Sequence, residues 1–425
     1  MKDKKIITLN QGPEKALLIS IRTQKVTDEE AEESLRELGR LVTTLGFQVL
    51  ASESQRMAKS TGGTVLGEGK LKELEKYTKD GEELADLVIF DCELTPSQIR
   101  NVEDALGVQV MDRTGVIIEI FSRHAKTRAA LLQVEIARLN YLAPRLREKK
   151  KVGDKQHFAG RGAGESQIEL DRRRIRDRKA ELKKELEDVQ REQDSRRSRR
   201  EEQMSVVLVG YTNAGKSSTM RALTGSEVLV ENKLFATLDT TVRALQPETH
   251  PRILVSDTVG FINKLPHDLV ASFRSTLEEA RHASILLYVV DAADPSFREQ
   301  LEVVNEVLNE VGVEGIHKQL ILNKSDCLND EEKDNLKVEF PEAMMMSAKN
   351  EVDIKNLYQW IVQFFDKKMV QGELYVPYKH QGVVGDIHTN TKIIKEECDN
   401  EGTKFVVRST SAHIERIKKL ISTHG

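Results

Sequence analysis

Two glycines, a lysine and a serine raise the first chemical question. Gly210-Tyr211-Thr212-Asn213-Ala214-Gly215-Lys216-Ser217 follows the apolar run from Met204 to Val209 and leads into a helix-forming stretch at Ser218. A strand, a glycine-bounded loop and a helix in that order suit a phosphate. The glycines let backbone N–H groups curl around a β-phosphate, and the helix N-terminus adds positive potential. Lys216 is expected to reach the β/γ oxygens and the Ser217 hydroxyl to hold Mg²⁺. Taken alone, the stretch also reads as a plain glycine turn before a helix.

Three further turns weigh against that plainer reading, because each closes an apolar strand. Asp257-Thr258-Val259-Gly260 follows Ile253 to Ser256. Asp257 suits a Mg²⁺-bound water, and the Gly260 N–H suits a γ-phosphate, which places Gly260 beside Lys216 in the catalytic set. Asn323-Lys324-Ser325-Asp326 follows Gln319 to Leu322. The Asp326 carboxylate can accept from guanine N1–H and N2–H₂, donors that adenine lacks, so adenine would leave it unpaired. Ser347-Ala348-Lys349 follows Ala343 to Met346, and the Ala348 N–H suits guanine O6. Four such turns in order imply GTP and GDP as ligands, Mg²⁺ as cofactor and GTP hydrolysis as the reaction.

A switch that senses the γ-phosphate belongs between the first and second turns. Phe235-Ala236-Thr237-Leu238-Asp239-Thr240-Thr241 lies there, and Thr237, Thr240 and Thr241 each have the chemistry to complete a Mg²⁺ shell. Loss of the γ-phosphate would release this segment and the one after Gly260. Phe261 follows Gly260, and an apolar ring cannot orient an attacking water. Intrinsic hydrolysis is therefore expected to be slow, with a partner, a K⁺ ion or another residue supplying the alignment.

The elements that must position these residues fall into four segments. Residues 1–125 alternate apolar strands (Ala16 to Ile21, Leu87 to Phe90) with amphipathic helices (Asp28 to Leu45, and Pro96 to Leu106 entered through Thr95), the rhythm of a parallel α/β domain. Residues 126–203 lose the strand signal. Ile168, Ile175, Leu182 and Val189 recur every seven residues, which predicts a long antiparallel helical hairpin with a glycine-rich tip loop at 152–164. Residues 204–366 return to strands and helices around the nucleotide turns. Residues 371–425 read as a small α+β domain, with a strand at Leu374 to Pro377, a turn near Asp399 to Gly402 and a helix from Ala412 to Ile421.

Cations crowd the hairpin. Arg145, Arg147, Lys149, Lys150, Lys151 and Lys155 run into the tip loop, which adds His157, Phe158 and Arg161; Arg172, Arg173 and Arg174 follow. Such a cluster suits RNA phosphates, with His157 and Phe158 placed to stack on unpaired bases. Interleaved acids such as Asp171, Asp177 and Glu181 allow the plainer reading of a solvated helical face. Net charge is only −4, so local clustering decides, and three scattered cysteines argue against a disulfide framework or zinc site and for a reducing cytoplasm. The longest apolar run, Ile285 to Val290, is far too short to cross a bilayer.

With these motifs assembled, the chain resembles the HflX family of ribosome-associated GTPases, within the Obg–HflX group. The likeness runs through Val88-Ile89-Phe90-Asp91, Asp112-Arg113-Thr114, Tyr141-Leu142-Ala143-Pro144-Arg145-Leu146, Gly162 to Arg173, and the nucleotide turns themselves. The resemblance implies Thr237 as the Mg²⁺-contacting, catalytic switch threonine, and it makes Phe261 ordinary for the family. Thr240 stands where proline is usual, and Ala163 and Ser166 where proline and threonine are common. The implied partners are the large ribosomal subunit and its rRNA, not DNA or an integral membrane, and the implied task is separating stalled ribosomes. A cytoplasmic protein, monomeric off the ribosome, is expected. The rival from another class is a nucleotide-gated signalling adaptor that binds protein through the coiled coil.

Overall fold

The computed structural model describes residues 14–23, 26–57, 63–81, 83–146, 167–197, 204–225, 235, 241–264 and 279–423. They divide into two compact units, with the boundary between Leu186 and Glu187. The first unit is built on β1 (Lys15–Arg22), β2 (Gln48–Arg56), β3 (Leu87–Phe90) and β4 (Gln109–Asp112). All pair in parallel, in the order β2-β1-β3-β4.

Parallel neighbours need crossover connections, and the sequence supplies helices with clear starts. Helix Asp28–Thr44 opens on a capping box between Thr27 and Glu30 and buries Ala31, Ser34, Leu38, Leu41 and Val42 at helical spacing. Helix Pro96–Leu106 opens on Thr95 and stops at Gly107, whose positive φ suits glycine. Helices Arg113–His124 and Arg128–Leu142 follow, then Gln167–Arg197. Leu182, one of the heptad positions, is fully buried, and Arg128 meets Glu185 at 3.5 Å. That contact sets the start of one helix beside the later part of the other, as an antiparallel pair requires. The glycine-rich tip loop lies outside the described residues.

In the second unit β5 (Met204–Val209), β6 (Thr241–Ala244), β7 (Ile253–Asp257), β8 (Ile285–Asp291), β9 (His317–Asn323) and β10 (Met344–Met345) form one sheet. Its order is β10-β9-β8-β5-β7-β6, parallel except for β6 against β7. Helices cover both faces. Met220, Leu223, Leu357 and Ile361 pack on one side, from helices Lys216–Thr224 and Glu351–Lys368, and Phe297 and Leu336 pack on the other. Strands buried on both faces are near-continuous apolar runs, which is how β5 and β8 read.

The chain ends in an antiparallel sheet of β11 (Val370–Pro377), β12 (Lys392–Cys398) and β13 (Gly402–Ser409), ordered β11-β13-β12 and covered by Ile414 and Ile417 of helix Ser411–Thr423. Asp399 makes the turn by accepting the Glu401 and Gly402 amides, each at 2.8 Å. This sheet is fastened to helix Glu351–Lys368 by Arg408, which donates to the Asp366 carboxylate at 3.1 Å and to its carbonyl at 2.9 Å. The expected α/β class is the one observed, with a parallel sheet in the first unit and, in the second, a nucleotide-type sheet followed along the chain by an α+β tail. Among the described residues no helix is long and apolar enough to cross a membrane.

Candidate nucleotide-binding site

The four turns read from the sequence all sit at the C-terminal ends of strands in the second sheet, where open α/β sheets bind ligands. Gly210 and Gly215 adopt positive φ values of 153° and 98°. A Cβ at Gly210 would run into the Val289 carbonyl, and one at Gly215 into the Asn323 side chain, so the loop closes this tightly only with glycine. Lys216 begins the following helix and folds back over the loop, donating to the Gly210 carbonyl at 2.9 Å and to the Tyr211 carbonyl at 2.7 Å. Burial pulls its ammonium down to about 8, with the Asp257 carboxylate opposing that shift.

Ser217 donates its hydroxyl to the Asp257 carboxylate at 2.8 Å, joining the first turn to the second. A hydroxyl and a carboxylate side by side are hard oxygen donors of the kind Mg²⁺ takes. No group of three or more His, Cys, Asp or Glu residues among the described residues forms a metal cage. A cation held by Ser217 and Asp257 would sit beside the phosphate loop, where phosphate and water oxygens are further donors of the same kind, which fits Mg²⁺ at a nucleotide. Thr258 donates to the Leu208 carbonyl at 2.7 Å, and Val259 is buried. Gly260 packs against Thr212 and the Lys216 ammonium so closely that a Cβ would lie 2.8 Å from Thr212 Cγ2.

Phe261 is pinned to the phosphate loop rather than loose beside it. Its carbonyl accepts from the Thr212 amide at 2.8 Å, and its own amide donates to the Gly210 carbonyl at 3.2 Å. Its ring is 2% exposed. The Asn263 amide donates to the Tyr211 hydroxyl at 2.5 Å, a further brace on the same segment. Of the switch stretch Phe235 and Thr241 are described: Phe235 is buried with φ of 59°, and Thr241 opens β6. Ala236, Thr237, Leu238 and Asp239 lie outside the described residues.

The base-reading turns form one network. Asn323 donates to the Ala214 carbonyl at 2.8 Å and accepts from the Ala348 amide at 3.0 Å, so one side chain ties the phosphate loop to the third and fourth turns. The Ala348 amide expected at guanine O6 thus meets Asn323 Oδ1 here. Asp326 accepts from the Ser347 hydroxyl at 2.7 Å and from the Lys349 ammonium at 3.3 Å. The Ser347 hydroxyl, helped by Lys349, holds the Asp326 carboxyl below the ordinary carboxylate range, so it is an anion at neutral pH. Lys324 pairs with Asp291 at 2.6 Å, and the Ser347 amide donates to Asp353 at 2.8 Å.

Sequence reading missed Asp291, Asp353 and the brace through Tyr211. Asp291 carried a signal, since it closes the apolar strand β8 beside the strand of Asn323. Asn213 and Ser218 take their places in the loop and the first helical turn, with Asn213 exposed at φ of 63°. The hairpin cations separate. Arg172, Arg173 and Arg174 are exposed on the long helix, and Arg174 lies 3.4 Å from Asp171. Lys150, Lys151, Lys155, His157, Phe158 and Arg161 lie outside the described residues.

Family models match three consecutive stretches: a GTP-binding GTPase N-terminal region over residues 32–122, a GTP-binding GTPase middle region over 124–200, and a 50S ribosome-binding GTPase over 205–324. The GTPase HflX of Gluconacetobacter diazotrophicus is 51% identical over 441 residues, covering 96% of this chain and 98% of that one. The GTPase HflX of Caldanaerobacter subterraneus is 37% identical, covering 97% and 95%. Among solved structures, a GTP-binding protein from the archaeon Sulfolobus solfataricus in complex with GDP is 26% identical with a TM-score of 0.45, covering 83% of this chain and 99% of that one. Identity at this level over nearly the full length of both chains, around a site built to take guanine nucleotides, shows that the chain belongs to the HflX family of GTPases.

Proposed function

We propose that this GTPase works on the large ribosomal subunit, coupling GTP binding and hydrolysis with Mg²⁺ to the separation of stalled ribosomes. Residues 1–125 and the basic hairpin of 126–203 would dock on ribosomal RNA, while residues 204–366 carry the switch. The observation that supports the switch best is the Phe261 bridge. The segment that must respond to a γ-phosphate is hydrogen-bonded in both directions to the loop that would hold the β-phosphate. The ribosomal half of the reading is supported by the 50S ribosome-binding family description and by the cations before residue 162.

In this mechanism GTP enters the loop of Gly210 to Ser218, and the Lys216 ammonium turns from its two carbonyl acceptors toward the β/γ oxygens. Ser217, Asp257 and Thr237 would hold Mg²⁺, which when bound neutralises charge on those oxygens. The Gly260 amide meets the γ-phosphate, and Asp326 and Ala348 read the guanine edge. Phe261, with its ring buried, orients no water, so hydrolysis waits for a group supplied by the docked partner. Loss of the γ-phosphate frees the Gly260 segment and weakens the grip on RNA.

The test is GTP turnover with and without purified large subunits, together with a subunit-splitting assay. Stimulation and splitting are expected, and a chain lacking residues 152–164 should keep its basal turnover while losing both. Unchanged turnover on adding subunits sinks the ribosomal reading. One observation favours the adaptor alternative for the long helix: Arg174, Arg178 and Arg191 each lie beside an acid three residues away, as on a solvated face. Steep loss of RNA affinity with salt separates phosphate contacts from that alternative.

A further inference from the structure

Stretches of the first unit that the nucleotide site does not use converge on one buried carboxylate. Asp112 ends β4 and is fully buried. Its Oδ1 accepts from the Gly115 amide and the Tyr141 hydroxyl, both at 2.9 Å. Its Oδ2 accepts from the Leu94 amide at 3.2 Å and from Arg145 Nη2 at 2.9 Å. The Arg145 guanidinium lies over the Tyr141 ring at 3.5 Å and also donates to the carbonyls of Tyr141, at 2.6 Å, and Leu94, at 3.2 Å. Burial, then the Asp112 charge, pushes the Tyr141 hydroxyl far above its usual range, so it stays a donor. A Cβ at Gly115 would meet the Tyr141 hydroxyl at 2.5 Å, so glycine makes the approach possible.

We infer that Asp112, Tyr141 and Arg145 form a fastening that fixes the end of helix Arg128–Leu142 to the close of β4, and that Arg145 is a positioning residue, not an RNA phosphate ligand. Counting cations along the sequence groups Arg145 with the basic run that follows it. The structure separates them, because Arg145 is only 18% exposed and its fork already serves a buried anion and two carbonyls. Withdrawing that cation to an RNA phosphate would leave Asp112 charged and uncompensated in the interior. The basic run Arg147 to Lys151 follows the fastening directly in the sequence, so loosening the fastening would alter the support of the segment that leads into that run. This consequence rests on the ribosomal reading proposed above.

The test uses full-length Tyr141→Phe, Arg145→Lys and Arg145→Gln, with exposed Arg172→Gln as the comparator. Basal GTP turnover should stay at the wild-type value in the Tyr141 and Arg145 variants. Stimulation by large subunits should fall about ten-fold in both Arg145 variants, the equivalent of one lost hydrogen bond to a charged group. The slope of log affinity for RNA against log salt should be unchanged in Arg145→Gln, whereas losing a true phosphate contact lowers it by about 0.7–0.9. A slope reduced by that amount in Arg145→Gln overturns the inference, as does full stimulation in both Arg145 variants. If the wild type itself shows no stimulation, the ribosomal reading fails and amide exchange decides the fastening. The Leu94 and Gly115 amides should exchange faster in Tyr141→Phe and Arg145→Lys, and wild-type protection there refutes it.

Discussion

Replacing Asp326 with asparagine tests the base-reading network at its most exposed assumption. The carboxylate is held as an anion by Ser347 and Lys349, with one oxygen directed by each. Guanine presents two donors to such an anion, and each hydrogen bond to a charged group is worth about 1.5–3 kcal/mol. Asparagine keeps one acceptor but sets an NH₂ group against the guanine N2–H₂, so both bonds are compromised. The expected loss is about 3–6 kcal/mol, or roughly 10² to 10⁴-fold in GDP and GTP affinity. Xanthine nucleotides carry a carbonyl where guanine has its amino group, so they should bind Asp326→Asn better than guanine nucleotides do. The assay is isothermal titration of GDP, XDP and ADP into wild type and variant, with circular dichroism confirming that both are folded. GDP binding within about three-fold of wild type, less than one such bond would cost, would refute the assignment.

Three further outcomes follow from the same geometry. The Lys216 ammonium, depressed by burial to about 8, loses its proton as pH rises through that value, while bound phosphate would keep it charged. Nucleotide affinity should therefore fall about ten-fold between pH 7 and pH 9, while the ligand-free fold gains stability from pH 8 toward the unfolded lysine value of about 10.4; affinity flat across that range removes Lys216 from phosphate binding. Gly260→Ala places a methyl against Thr212 and Lys216, so single-turnover hydrolysis should drop about a hundred-fold with GDP affinity retained, and an unchanged rate excludes the Gly260 amide from the reaction. Arg113→Met strips the cation from Asp91 and Glu37 in the first unit, which should cost about 3–5 kcal/mol and lower the urea midpoint; an unshifted midpoint contradicts it.

Apolar strands were legible and polar edge strands were not. Leu87 to Phe90 is apolar throughout and Met204 to Val209 is apolar except at half-buried Ser205, because neighbours cover them closely, and both stand in the interior of their sheets. β2, β4 and β6 each lie at a sheet edge, where one side needs no apolar cover, so Gln48–Arg56 and Thr241–Ala244 carry polar residues that conceal them. Thr95 before Pro96 announced its helix because capping is local chemistry. The nucleotide turns were legible for the same reason, since their ligands are backbone groups and side chains close in sequence. Asn323 reaching back to Ala214, and Asp112 gathering Leu94, Tyr141 and Arg145, join residues far apart in the chain. Spacing does not encode such meetings; only the folded sheet makes them.

Helix Glu351–Lys368 holds the guanine turn at one end, where Asp353 takes the Ser347 amide, and the terminal sheet at the other, where Asp366 takes Arg408. Eighteen residues of α-helix make a strut of roughly 27 Å with no hinge between those ends. A pull on the tail would therefore bear on the base-reading turn before it reached the phosphates. The tail adjoins the base-reading end of the site and Gly260 the phosphate end, so a partner bound to the tail would act first on base affinity, and one that held Gly260 would act first on the phosphates.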